Sequence, residues 1–237
     1  MRYRLYYWSE IQGRGEFVRL ALEFAGASYV DVLRHSSGKE PRHGKQIPFA
    51  MPYLVAGKQV IAQTANILLY LGPRLRLAPK NEAGRLWAHQ LQLTMADWLT
   101  EAHDTHHPIG SGLYYEEQRG EARRRTRDFL AQRLPKYLDY FEGVLGRSGG
   151  PWLLGRRLNY PDLSLFQMLA GLQYAFPQAM ARCLRRDPLL VALHNRVAAH
   201  PRLRHYFASD RRIPFNRQDI FRHYPELDRL RNKSKKT

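Results

Sequence analysis

The hydrophobic pattern of this chain changes character near Leu75, and that change constrains the fold more than any other feature. Before Leu75, short runs that alternate like strands are interspersed with runs at helical spacing. After it, we find no convincing strand, and long helical stripes dominate. Alternating strands and helices build an α/β domain, whereas amphipathic helices alone build a helical one. We therefore predict a small α/β domain followed by an all-α domain.

The first part begins with the order β-α-β. Tyr3, Leu5 and Tyr7 alternate along the first predicted strand, and Gly26 lies where the C-cap of the next helix is expected. A second strand is predicted over residues 29–33. This order predicts a right-handed crossover between two parallel strands.

The first part ends with the order β-β-α, after a polar segment at 35–46 that we expect to be irregular or weakly helical. Runs 52–55 and 59–61 flank a glycine-containing turn and predict a hairpin. A helix is predicted over residues 64–71, and Gly72-Pro73 is expected to end it. The whole pattern predicts a mixed sheet.

The second part is predicted to be helical throughout. Its first long helix carries an apolar stripe formed by Leu91, Met95, Leu99 and Ala102. A second helix is predicted over about 121–145, where Pro135 is expected to produce a kink. A third is predicted to begin near Tyr160. We place the two domains at residues 1–77 and 84–237.

The charge balance narrows the possible partners. Lys and Arg number 38 against 21 Asp and Glu, which gives a net charge of +17. Such a charge favours nucleic acid, an anionic membrane surface or small anionic ligands. The run at 119–127 contains acids and is typical of a solvated helix face, and 229–236 is interpreted as a basic C-terminal tail. Neither run has the interleaved aromatics of a stacking surface, so we do not expect nucleic acid as the main partner.

Three further features of the sequence indicate the cellular compartment in which the protein is expected. No stretch of about 18 apolar residues is present, so we expect neither a membrane span nor a membrane partner. The N-terminus lacks the features of a secretory signal. Cys183 is the only cysteine, which excludes an internal disulfide, a cysteine-based zinc site and a CxxC pair. We expect a cytoplasmic protein.

Two predicted junctions carry residues suited to binding. Pro52 directly precedes a predicted strand. A cis peptide bond between Met51 and Pro52 would turn the backbone groups of Met51 outward, where an extended peptide could pair with them. An ordinary trans bond would not. Thr64 is a suitable N-cap, and a helix N-terminus presents free N–H groups to a carboxylate. Gln63 adds a side-chain amide there. Plain helix capping is the alternative interpretation.

Four motifs in this chain order resemble those of the cytosolic glutathione transferases, nearest to the mu, sigma and pi classes. They are Tyr7-Trp8-Ser9, Gly13-Arg14-Gly15, Met51-Pro52-Tyr53-Leu54 and Gln63-Thr64. Asn159 and Asp162 also resemble the capping box of that family's helical domain. The resemblance implies a thioredoxin-like domain over 1–77 that binds glutathione, an all-α domain over 84–237 that forms the acceptor pocket, and a homodimer.

The resemblance also implies that particular residues bind glutathione, among them Tyr7, Trp8 and Arg14. Met51, beside Pro52, would pair its backbone with the cysteinyl part of glutathione, and Gln63 and Thr64 would hold the γ-glutamyl carboxylate. Lys45 is a candidate for the glycyl carboxylate, with a solvated loop lysine as the alternative. Asp97 would reach the γ-glutamyl amine bound by the other subunit, or it is an exposed helix residue.

The chemistry implied is activation of the glutathione thiol. A free thiol has a pKa of about 8.5, and only its thiolate is a strong nucleophile. Tyr7, next to Trp8, is our candidate for the hydroxyl that donates a hydrogen bond to the sulfur, and Ser9 is the alternative. Arg14 is expected to add positive field, or it is solvated surface. No cysteine lies near the first helix, which argues against thioltransferase chemistry.

The histidines at 103–107 invite a metal interpretation, since His103 and His107 share a helix face. No fourth ligand is evident, so we expect no metal. We expect this segment, with Tyr114 and Tyr115, to line an apolar acceptor pocket.

The expected function is therefore detoxification by transfer of the glutathione thiolate to hydrophobic electrophiles, with glutathione as co-substrate. Peroxidase or isomerase activity would use the same thiolate. The alternative is a non-catalytic module of this family that binds protein or nucleic acid through its basic surface.

Overall fold

The computed structural model describes residues 2–35 and 47–228 of the chain. The strands are β1 (Tyr3–Tyr6), β2 (Tyr29–Asp31), β3 (Tyr53–Ala56) and β4 (Gln59–Ala62). The helices of the first part are α1 (Gly15–Ala25), α2 (Val32–His35) and α3 (Thr64–Arg74). Those of the second part are α4 (Glu82–His103), α5 (Arg119–Asp128), α6 (Leu134–Arg147), α7 (Tyr160–Ala175), α8 (Pro177–Cys183), α9 (Pro188–Ala198) and α10 (Pro201–Phe207). The α/β part followed by the helical part confirms the predicted fold class.

The sheet has the strand order β2-β1-β3-β4. β1 is parallel to β2, as the β-α-β pattern predicts, and β3 is antiparallel to both β1 and β4. Leu5, Val18 and Ile67 belong to the core between the sheet and helices α1 and α3. Tyr6 packs on the opposite face, with its ring stacked on Tyr53 at 4.5 Å. Side chains of neighbouring strand residues thus point to opposite faces.

The second part is built around α7, whose residues are buried on nearly every side. A helix surrounded by protein can be apolar all round. Trp98 on α4 stacks on Tyr137 and Phe141 of α6, at 5.1 and 5.8 Å between ring centroids. Within the described residues, no helix has both the length and the apolar character required to cross a bilayer.

The start of α7 is fixed by the predicted capping box. Asn159 is the N-cap, and its backbone N–H donates to the Asp162 carboxylate at 2.8 Å. The same carboxylate accepts from the backbone N–H of Leu153 at 2.7 Å. The Tyr160 N–H donates to the carbonyl of Leu77, which joins α7 to the end of the first part. One buried carboxylate therefore organises both the helix start and the chain that precedes it.

Several element boundaries differ from the prediction in the first part, two of them by more than one residue. The second strand ends at Asp31, and the chain turns directly into the short helix α2. Helix α3 continues through Gly72-Pro73 to Arg74. Gly72 allows close packing, because a Cβ there would lie 2.9 Å from the ring of Tyr160. This glycine therefore serves helix–helix packing and does not end the helix.

The single helix predicted over 121–145 consists of α5 and α6, joined by a wider π-type turn at Phe129–Arg133. Pro135 follows that turn directly. Its ring nitrogen has no hydrogen to donate to the carbonyl four residues earlier, which favours an irregular turn at this point. The predicted distortion is present and takes the form of this turn.

Candidate active site

The Tyr7 side chain lies directly after β1 and is only 4% exposed. Its ring packs against the loop that leads into α1. A Cβ at Gly13 would lie 2.1 Å from the Tyr7 hydroxyl, and a Cβ at Gly15 would lie 2.6 Å from a ring carbon. Gly13 also has a φ of +43°, which favours glycine. These two glycines are therefore what allows the phenol to sit against the helix start.

The Tyr7 hydroxyl accepts a hydrogen bond from the backbone N–H of Arg14 at 2.9 Å. A phenol that accepts there keeps its own hydrogen for another partner. Burial raises the pKa of Tyr7, against the opposing effect of the Arg14 N–H, so the phenol stays protonated at neutral pH. This geometry suits a hydrogen-bond donor. The alternative residue, Ser9, lies in an exposed turn, and Trp8 is 57% exposed.

Sequence reasoning missed Asp219, which holds the same loop in place. Its buried carboxylate accepts from the backbone N–H of Gln12 at 3.1 Å and from that of Gly13 at 2.8 Å. These residues directly precede Arg14, the donor to Tyr7. No local pattern around Asp219 indicates this role, because its partners lie more than 200 residues earlier in the chain.

A cavity of about 350 Å³ lies beside this loop, between the starts of α1 and α3 and one side of α4. Four predicted site residues line it: Arg14, Gln63, Thr64 and Asp97. The Thr64 hydroxyl donates to the Arg14 carbonyl at 3.2 Å, and the Arg14 guanidinium donates to the Thr100 hydroxyl at 3.4 Å. These bonds tie the three helices together around the cavity.

Gln63 holds an unusual backbone conformation at the start of α3, with φ of 68° and ψ of 121°. A non-glycine residue in this region costs on the order of 1–3 kcal/mol and often marks a functional site. The Gln63 carbonyl accepts from the N–H of Ile67 at 2.8 Å, which closes the first turn. The N–H groups of that first turn have no partner within the helix, so they suit an anion in the cavity.

Among the described residues, four other predicted site residues do not line this cavity: Tyr7, Trp8, Met51 and Pro52. Met51 packs against Tyr6 and Tyr53, Pro52 is buried, and the bond between Met51 and Pro52 is cis. Lys45 falls outside the described residues. The roles of Met51, Pro52, Trp8 and Lys45 therefore remain predictions.

The three histidine rings at the end of α4 pack together, with His103 5.1 Å from His107 between centroids. Burial lowers the pKa of each, and that of His106 falls to about 2. Among residues 2–35 and 47–228, no group of three or more His, Cys, Asp or Glu could hold a metal ion. A cavity of about 460 Å³ adjoins His107 and is lined by Tyr114 and Tyr115.

Comparisons with known proteins find chains of similar sequence and fold. A family model described as glutathione S-transferase, C-terminal domain, matches residues 103–210. Glutathione S-transferase P 1 of Xenopus laevis is 27% identical over 85% of this chain and 90% of its own length. Glutathione S-transferase 2 of Onchocerca volvulus is 29% identical over 87% and 92%. The solved pi-class enzyme of Onchocerca volvulus superposes with a TM-score of 0.70 at 26% identity, over 88% of this chain and 93% of that one.

The fold and these matches point to one class of protein. The chain is similar over most of its length to the cytosolic glutathione transferases, and residues 103–210 match the C-terminal domain of that family.

Substitution of Asp219 tests whether its carboxylate holds the loop. We expect Asp219→Ala to lower the free energy of unfolding by about 2–4 kcal/mol, because two buried N–H groups lose their acceptor. Hydrogen exchange should become faster at Gln12 and Gly13 in particular. Asp210→Ala, at an exposed position of the same segment, is the control and should leave both measurements unchanged. Unchanged exchange at both loop amides in Asp219→Ala would contradict the assignment.

Proposed function

We propose that this protein is an enzyme, a glutathione transferase that joins the glutathione thiolate to hydrophobic electrophiles. The observation that carries the proposal is the Tyr7 hydroxyl, which accepts from the Arg14 N–H and retains its own hydrogen for a sulfur. A cavity with an anion-binding helix start lies on the other side of Arg14. Together they supply a place for the tripeptide and a donor for its thiol.

Activation of the thiol requires stabilisation of the thiolate relative to the thiol. Lowering the thiol pKa by two units corresponds to about 2.7 kcal/mol. A hydrogen bond from Tyr7 to the anionic sulfur supplies about 1.5–3 kcal/mol of this. The guanidinium of Arg14, held toward Thr100, adds positive field near the same position. These two groups are sufficient for a nucleophilic thiolate at neutral pH.

Binding of the tripeptide depends on charge complementarity in the cavity. The γ-glutamyl carboxylate is placed at the first turn of α3, with Gln63 and Thr64. Asp97 lines the same cavity, and in the proposed dimer it supplies the negative charge for the γ-glutamyl ammonium group of the glutathione bound by the other subunit. The Met51 backbone pairs with the cysteinyl unit, and Lys45 with the glycyl carboxylate.

The non-catalytic alternative has less support. Its one favourable feature is the net charge of +17. The Tyr7 phenol is oriented by a backbone N–H, that of Arg14. A scaffold that binds only macromolecules does not require such a group. Peroxide reduction and isomerisation would use the same thiolate. We propose a cytoplasmic setting, since the chain has a single cysteine and no disulfide.

We also propose that the enzyme is a homodimer. Two exposed apolar pairs support this: Leu86 and Leu93, seven residues apart on one side of α4, and Ile47 and Phe49 in the segment before β3. The Phe49 side chain is 98% exposed, which is unfavourable for a free monomer in water. A second copy of the chain is the partner that would cover these side chains.

Removal of the Tyr7 hydroxyl tests the catalytic assignment. We expect Tyr7→Phe to lower turnover with a chlorinated aromatic electrophile by roughly 10- to 1,000-fold, with little change in glutathione affinity. Tyr6→Phe is the matched control, because Tyr6 lies on the opposite face of the sheet. A wild-type rate in Tyr7→Phe would reject this residue and favour Ser9.

Truncation of Gln63 tests the binding site. We expect Gln63→Ala to weaken glutathione binding by roughly 1–3 kcal/mol, because the carboxylate loses a hydrogen-bond donor. Calorimetric titration measures this directly. Gln59→Ala, at an exposed position of β4, should bind like the wild type. Equal affinity in the two variants would place the carboxylate elsewhere.

Sedimentation velocity tests the dimer. We expect the wild type to sediment as a species of twice 27.8 kDa, and Phe49→Ser to shift it toward the monomer. Ile109→Ser removes another exposed apolar side chain, 62% accessible, beyond the C-terminal end of α4 and should leave the dimer intact. A wild-type chain that is monomeric at micromolar concentration would refute the proposal.

A further inference from the structure

A second cleft lies at the far ends of α1 and α3 from the candidate active site. Both helices begin at the active-site cavity, at Arg14 and Thr64, and both end at this cleft, at Ala25 and Arg74. With 11 residues in α1, the two positions are about 15 Å apart along the helix. The cleft has a volume of about 650 Å³ and is completed by the chain before α7 and the start of α10.

Positive charge dominates this cleft. Four arginines line it, together with His200: Arg74, Arg76, Arg157 and Arg202. No Asp or Glu is among the lining residues, and within the described part of the chain none of the four arginines forms an ion pair. The C-terminal ends of two helices offset about one unit of this charge. About three positive charges are left without a protein counterpart.

Two of the arginines are held in place by aromatic rings. The Arg74 guanidinium lies 3.7 Å from the ring centroid of Tyr70 and donates to the Tyr70 carbonyl at 2.9 Å. The Arg202 guanidinium lies 5.3 Å from the ring of Phe24. A guanidinium held in this way loses less entropy when it binds an anion, and its planar donors match the oxygens of a phosphate.

The cleft also has an apolar component. Leu75 and Leu158 contribute partly exposed side chains to it, and the largely buried Phe24 and Leu77 also line it. A ligand that fits both features carries several negative charges at one end and a flat, weakly polar group at the other. The volume is in the range of small-molecule sites.

We propose that this cleft binds a nucleotide-like organic polyphosphate, with the phosphates on the arginines and the base against the apolar residues. The chemistry favours a small ligand over a nucleic acid, because the cationic surface is one cleft between two domains and not an extended groove with stacking aromatics. The site is separate from the proposed glutathione site, and four of the arginines that contribute to the net charge of +17 line it.

Calorimetric titration of the full-length protein tests the site, with ATP, inorganic triphosphate and adenosine as separate ligands at low salt. We expect ATP to bind more tightly than triphosphate, and adenosine alone to bind too weakly to measure. Arg157→Ala combined with Arg202→Ala should weaken ATP binding at least tenfold. Glutathione conjugation should be unchanged in this double variant, because neither arginine lines the active-site cavity.

The matched control is Arg124→Ala combined with Arg127→Ala, which removes the same charge from exposed positions on α5. We expect its ATP affinity to stay within twofold of the wild type. An equal loss in the two double variants would mean that only net charge matters and would overturn the site. Absence of ATP binding to the wild type would also overturn it, as would equal affinity for triphosphate and ATP, which would remove the role of the base.

Discussion

The Tyr7 hydroxyl can be presented to a ligand only while the loop between β1 and α1 keeps one conformation. The Asp219 carboxylate fixes that conformation through the N–H groups of Gln12 and Gly13, and the next N–H along the chain, that of Arg14, orients the phenol. A carboxylate buried this fully is tolerated because backbone donors satisfy it. The segment after α10 is therefore part of the architecture of the candidate active site.

Helix α10 and the segment after it also fix the position of α1. Glu16, fully buried on α1, accepts from Arg212 at 2.6 Å and from the Tyr206 hydroxyl at 2.8 Å. Arg19, one turn later, pairs with Asp31 at the end of β2 at 2.6 Å. Breaking a buried pair leaves an uncompensated charge, at a cost of about 3–5 kcal/mol. Because every charge here has a partner on another element, alternative placements of α1 are strongly disfavoured.

The parts of this structure that the sequence predicts are those set by neighbours in the chain. Gly26 ends α1, and Asn159 and Asp162 start α7, because caps act over a few residues. The prediction was wrong at Gly72. A glycine is required there by the close approach of the Tyr160 ring, which lies 88 residues away in the sequence. Asp219 was not predicted at all for the same reason, since its partners lie more than 200 residues earlier.

The net charge of +17 illustrates what composition leaves open. Its total favours nucleic acid as much as it favours a small anion, and only the placement of the charges separates the two. At one end of α1 and α3, positive potential comes from backbone N–H groups and Arg14, which suits the proposed carboxylate ligand. At the other end, helix dipoles favour cations, and four arginines are present. Both ends of this helix pair are thus electropositive. At the N-terminal ends the positive charge comes mainly from backbone N–H groups. At the C-terminal ends it comes from arginine side chains, whose charge is greater than the negative charge of the helix dipoles.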